Sequence, residues 1–149
     1  MSKILPDQEP LITYTHKMRS RYSETDRMGY VYHGHYLAYF EAARTEFIRE
    51  TGYPYFALEE AGIMLPVLNA ELQYMKPVKY DEVMKINVHV YSWPKVRFNT
   101  YYEIYNDADE GPFVTGKVEL CFVDSVKRRP RKAPQNFLDD FKKYVHEHT

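Results

Sequence analysis

One stretch of helical period stands among stretches of period two, and that contrast limits the folds open to the chain. In residues 36–51, Tyr36, Phe40, Ala43 and Phe47 recur at i, i+4, i+7 and i+11, with Leu37 and Ile48 widening the stripe. Apolar residues at that spacing share one face of an α-helix. Gly52 ends it, because glycine takes the left-handed conformation of a helix stop without strain. From Pro66 the period changes. Leu68, Ala70, Leu72 and Tyr74 alternate with Asn69, Glu71 and Gln73, which predicts a strand with one wet face. Residues 83–91 repeat the alternation through Met84, Ile86, Val88 and Val90. So do 95–105, through Phe98, Thr100, Tyr102 and Ile104, and 113–124, through Val114, Gly116, Val118 and Leu120. Turn clusters at 92–94 and 106–111 make these last three an antiparallel meander. A first strand is expected around 12–16, where β-branched and aromatic residues gather.

A helix with one rich apolar face has to bury it, and the sheet supplies the partner surface. The expected fold class is therefore α+β, one central helix on an antiparallel sheet, as a single domain over residues 1–149. Residues 1–10 read as a mobile tail. Pro54 to Gly62 reads as a short helical turn, and Phe137, Leu138, Phe141, Tyr144 and Val145 as a short terminal amphipathic helix.

Charge and cysteine content narrow the function classes. The formal net charge of −1 offers no bulk footprint for nucleic acid, so any anion recognition has to be local. The single cysteine, Cys121, falls in an expected strand and reads as a buried thiol in a reducing compartment. No run approaches the ~20 apolar residues of a membrane span, and the first ten residues lack a signal-peptide core. A cytoplasmic protein with no membrane partner is expected.

The chemistry concentrates just before the helix. Asp26 lies on a loop with Gly29, and the loop runs through Tyr32, His33 and Gly34 into the helix at Tyr36. A helix start carries unpaired N–H groups and the positive end of the dipole. The stretch thus sets an acid beside a place that can bind an oxyanion, the pairing that hydrolysis of an acyl group needs. Asp26 would act as general base or as nucleophile. The plainer alternative is that 23–26 are polar loop and capping residues. His33 can hydrogen-bond the acid or the substrate, or simply pack at the helix start. His33, His35 and Asp26 could offer three metal ligands, but no His-Glu-x-x-His pattern or cysteine pair accompanies them, and no metal is expected. Glu46 and Arg49 at i and i+3 fit a surface pair. Arg128, Arg129 and Arg131, within the basic run 127–132, form the best local phosphate site, or else a solvated charge run.

The run Asp26-x-x-Gly29-x-Val31-Tyr32-His33-x-x-Tyr36 before a long helix resembles the hotdog-fold acyl-CoA thioesterases of the 4-hydroxybenzoyl-CoA thioesterase type. The likeness extends over about 13–134, through 40–46, 70–77 and 128–134. It implies a sheet wrapped around one central helix and hydrolysis of acyl-CoA to free acid and CoA. Asp26 and the backbone N–H of His33 would be catalytic; Gly29, Tyr32, Gly34, Tyr36, Arg128, Arg129 and Arg131 would bind substrate. It implies no cofactor, and a homodimer or homotetramer with its sites between subunits. Some relatives carry the working acid on the helix, which makes Glu41 the competitor of Asp26. Acyl-carrier-protein thioesterases share the architecture, so a carrier-bound thioester is an alternative substrate. Tyr80, His35 and the bulky pair Arg27-Met28 depart from the usual pattern, and motivate a non-catalytic acyl-CoA binding module as the rival reading. A dehydratase on acyl thioesters is related by fold alone.

Overall fold

The structure, a computed structural model, describes residues 3–149. The expected helix is α1 (Tyr36–Glu50), and Gly52 follows it at φ +94°. A shorter helix, α2 (Tyr55–Glu60), occupies the Pro54–Gly62 stretch. The long strands are β1 (Ile12–Arg19), β3 (Val67–Tyr74), β4 (Val83–Val90), β5 (Arg97–Asn106) and β6 (Val114–Cys121). They form one antiparallel sheet in the order β1-β4-β5-β6-β3. The meander β4-β5-β6 is present as expected, in a register that pairs Ile86 with Ile104 and Thr100 with Val118.

Period two puts Met84, Ile86, Val88, Phe98, Tyr102, Ile104 and Val114 on the inner face, all fully buried. Against them α1 sets Tyr36, Tyr39, Phe40, Ala43, Phe47 and Ile48. Closest approach occurs where β6 has no side chain. A Cβ on Gly116 would stand 2.4 Å from the Phe40 ring, which stacks on Tyr102 at 4.4 Å between centroids. This is the sheet wrapped around a central helix that the resemblance implied.

The terminal helix is longer than its periodicity suggested. It is α3 (Gln135–His148), nearly the length of α1, and it closes one end of the core. Phe137 and Phe141 meet Phe98 and Phe122 there, with ring centroids 5.4–6.3 Å apart. Cys121 is buried, as expected of a packing thiol.

The structure departs from the sequence reading at four places. Leu37 does not widen the stripe; it is 42% exposed, on the side of α1 left bare by the sheet. A two-stranded ladder, β2 (Ile63–Met64) with β7 (Val123–Asp124), was not foreseen, because two residues carry no period. And β3 does not have one wet face. Only Leu72 and Gln73 are even partly buried, because α1 packs over β4 and β1 and leaves this edge uncovered. The first strand also runs three residues further than expected, to Arg19.

Near the N-terminus, Ile4, Leu5 and Pro6 border a cleft of about 300 Å³ beside Tyr91, Glu103 and Thr115, on the face away from α1. Among the described residues no helix is long and apolar enough to cross a membrane.

Candidate active site

Asp26 is held by its own loop. Its Oδ1 accepts the backbone N–H of Met28 at 2.8 Å and of Tyr30 at 3.3 Å, a side-chain turn of the kind aspartate makes readily. The main chain closes the same turn, with Gly29 N–H donating to Asp26 O at 3.2 Å and Asp26 N–H to Tyr30 O at 2.8 Å. Gly29 sits at φ +82°, which glycine adopts freely. The turn is then fastened to the β3–β4 connection. Tyr80 N–H donates to Gly29 O, and Val31 N–H to Val78 O. The carboxylate is half-buried, and its second oxygen has no partner among the described residues.

From Tyr32 the chain makes one 3₁₀ turn, His33–His35, and runs directly into α1. His35 N–H donates to Tyr32 O at 2.9 Å. The N–H groups of His33 and Gly34 have no hydrogen-bond partner among the described residues, as expected of the first two positions of a helical segment. Both residues are exposed. Gly34 is constrained by its neighbour: a Cβ there would stand 2.7 Å from the Tyr32 ring.

Tyrosines wall the site. Tyr36 is buried, its hydroxyl accepts Val78 N–H at 3.2 Å, and its ring lies 5.7 Å from Tyr74. Burial pushes the Tyr36 hydroxyl up, the Val78 N–H pulls it back, and Tyr74 and the Asp26 charge add to the rise. The group stays protonated at neutral pH. Tyr74 reaches the His33 carbonyl at 3.4 Å, and the His33 ring lies between Tyr32 and Tyr74. The His33 side chain makes no hydrogen bond to Asp26. Together Val31, His33, Tyr36, Tyr74, Met75, Lys76 and Pro77 line an opening of about 250 Å³. No group of three or more His, Cys, Asp or Glu among the described residues is placed to hold a metal ion.

The Asp26 loop thus leads into a helix start with two free N–H groups, and comparison with known proteins gives the chain a family. The model of the thioesterase-like superfamily matches residues 20–141. The chain belongs to that superfamily. It is thereby an enzyme of the thioester-hydrolase class. It is 33% identical to YneP of Bacillus subtilis over 119 residues, 80% of this chain and 86% of that one. It is 29% identical to the acyl-CoA thioester hydrolase YbgC of Escherichia coli, over 84% and 92% of the two chains. Among solved structures, a DHNA-CoA thioesterase of Staphylococcus aureus is similar at a TM-score of 0.81 and 32% identity, with 91% of this chain and 90% of that one covered.

The residues expected from the sequence fall into two groups in this thioesterase-like chain. Asp26, Gly29, Tyr32, His33, Gly34 and Tyr36 share the loop and the start of α1, where Tyr74 ends β3. Arg128, Arg129 and Arg131 lie at the opposite end of β3. There they follow a turn that Asp124 builds by accepting the N–H groups of Val126 and Lys127. Those N–H groups hold the Asp124 carboxyl below its usual range. All three arginines are exposed, and Arg128 touches Met64 Sδ at 4.0 Å. Met64 lines a second cleft of about 500 Å³, with Glu41, Arg44, Tyr55, Leu58, Glu59, Ile63, Leu65, Pro66 and Val67. The two openings share no lining residue, and β3, eight residues long, separates them by roughly 24 Å at the usual rise per residue.

Sequence reasoning missed Arg44 and Glu24. Arg44 is 5% exposed, with Nε donating to the Tyr55 hydroxyl at 2.9 Å and Nη1 to the Tyr102 hydroxyl at 3.0 Å. Its position is in step with Tyr36, Phe40 and Ile48 at four-residue intervals, and that spacing was the available signal. Glu24 braces the Asp26 loop against α1 by accepting the Tyr39 hydroxyl at 2.9 Å and the Arg21 N–H at 2.8 Å.

Proposed function

We propose that this protein hydrolyses acyl-CoA thioesters, with Asp26 and the start of α1 of one copy working beside the Arg44 cleft of a second copy. The observation that carries the proposal is the Asp26 carboxylate, fixed through Oδ1 and open at Oδ2, on the loop that delivers the free N–H groups of His33 and Gly34. Asp26 takes a proton from water as the water oxygen bonds to the thioester carbonyl carbon. The carbonyl oxygen gains charge and is held by those N–H groups. Collapse of the tetrahedral intermediate expels the thiolate, and the proton ends on the CoA sulfur. Each such donor contributes ~2.7–4 kcal/mol to transition-state stabilisation where it has been measured by removal. Relatives named as acyl-CoA hydrolases support the substrate class.

Two copies are invoked because the parts lie apart in one chain. β3 is an open sheet edge that bears Val67, Leu68 and Tyr74, each about half exposed. An uncovered apolar edge invites pairing with another strand. Antiparallel pairing of β3 with its own copy would put Val67 of one chain near the partner's Tyr74. The basic turn at Arg128, Arg129 and Arg131 would then flank the partner's Asp26, where the phosphates of CoA would lie.

Thiol release from a panel of acyl-CoA esters tests the chemistry. Asp26→Asn preserves the loop's shape and should lower kcat at least ~10²-fold, the low end for a general base. Undiminished turnover in the purified variant would remove Asp26 from the mechanism.

A further inference from the structure

The Arg44 cleft has a feature that thioester cleavage does not require. Arg44 is a buried cation with no carboxylate within ion-pair distance among the described residues. Its Nε and Nη1 are held by Tyr55 and Tyr102, and Tyr102 shares a 2.5 Å hydrogen bond with Thr100 Oγ1. The plane of the guanidinium is therefore fixed. Nη2 has no hydrogen bond among the described residues. It is not sealed either, since Asn99 Oδ1 alone among the described residues is a buried side-chain N or O atom without a partner. So Nη2 opens onto the cleft that Arg44 lines. A lone buried charge is costly to keep unless an anion meets it. A fixed guanidinium edge matches a carboxylate in both charge and geometry.

The rest of the cleft suits the remainder of such a ligand. Leu58, Ile63, Leu65 and Pro66 provide apolar wall for methylene groups, and about 500 Å³ lies in the range of small-molecule sites. Glu41 and Glu59 also line it, but both are exposed, where water and salt screen them. The buried Arg44 charge is screened far less. Tyr55 and Tyr102 stay neutral beside it: burial pushes both hydroxyls up, and the Arg44 charge only partly offsets this.

We propose that this cleft receives the far end of the acyl group and that Arg44 selects acyl chains ending in a carboxylate. The proposal rests on the two-copy reading above, in which the cleft of one chain faces the thioester end of the other.

Calorimetry with thioethers of CoA, which cannot be hydrolysed, reads the selection apart from the chemistry. S-(5-carboxypentyl)-CoA is compared with S-hexyl-CoA, and S-(7-carboxyheptyl)-CoA with S-octyl-CoA. In at least one pair the carboxylate should bind about tenfold tighter or more to wild type, the weight of one charge-assisted hydrogen bond. Arg44→Met should abolish the difference while keeping affinity for the alkyl partner. Arg44→Lys, which keeps the charge but loses the planar edge, should show a reduced preference and serves if the Met variant does not fold. Equal affinities in wild type, no binding of any thioether, or a preference that survives in the variants would each overturn the proposal. Thiol release from hexanoyl-CoA separates this from the hydrolase reading. Turnover without a carboxylate preference would leave the hydrolase standing and Arg44 without this role. A preference without turnover of any ester would do the reverse.

Discussion

Asp26 and Glu103 are both half-buried carboxylates, yet what their oxygens already hold gives them opposite uses. Glu103 has both oxygens engaged: Oε1 meets His89 Nε2 at 2.8 Å and Oε2 accepts the Tyr105 hydroxyl at 3.1 Å. His89 in turn shares its Nδ1 with Thr13 Oγ1 at 2.7 Å, so the row ties β1, β4 and β5 together across the outer face. The His89 hydrogen bond holds the Glu103 carboxyl below its usual range, against the opposing effect of burial. A carboxyl with a depressed folded pKa stabilises the protein above its unfolded pKa, and the contribution is lost as pH falls through the folded value. Glu103→Gln should therefore flatten the acid limb of the stability curve. Its urea midpoint should fall less between neutral pH and pH of about 3 than that of wild type. Parallel curves would mean that Glu103 contributes nothing to acid sensitivity. Asp26, by contrast, spends one oxygen on its turn and leaves the other without a partner among the described residues. For that reason its replacement by Asn should show in turnover and not in folding.

Among elements, the tightest constraint is the seat of α1 on β6. Gly116 leaves room for a fully buried Phe40 ring, and its own Cβ would also stand 3.1 Å from Glu71 O on β3. The Phe40 ring is stacked on Tyr102, and the second neighbour is backbone. Gly116→Ala should then cost about 1–3 kcal/mol, as overpacked cores do, read as a lower midpoint in urea. An unchanged midpoint would show that Phe40 has somewhere to turn. Gly116 was readable as an inward position from its period, but its reason was not, because Phe40 lies 76 positions away in sequence. The same division runs through the whole chain. Features set by neighbours in sequence were legible: the bounds of α1 to within a residue, the inner faces of β4, β5 and β6, and the Asp26–Gly29 turn. Features set by distant pairing were not. The β2–β7 ladder joins residues some sixty positions apart, and the anchoring of the Asp26 loop on Val78 and Tyr80 is likewise long-range. Arg44 was obscured by residue type, since an arginine is read as surface even when its position lies in step with a buried stripe.

At the scale of the whole molecule, β3 poses the remaining problem. Alternation identified its inward face, and Tyr74 and Leu72 do face α1's side, through Tyr36 and the core edge. What covers the rest of that face is not among the described residues: Leu68 and Ala70 are exposed. The groups read as catalytic lie at one end of this strand, and the basic turn and Arg44 cleft at the other, so pairing of two copies would complete two sites at once. Leu68→Asp combined with Ala70→Asp sets like charges into that pairing, where they repel, and touches no buried position of the single chain. The double variant should keep its circular dichroism spectrum and sediment with the mass of one chain, whereas wild type should sediment with the mass of two or four. It should also lose thiol release, because each site would lack its second half. An oligomer that survives both charges would place the contact elsewhere. A single chain with full turnover would show that Asp26 and the N–H groups of His33 and Gly34 suffice, and that the Arg44 cleft acts apart from them.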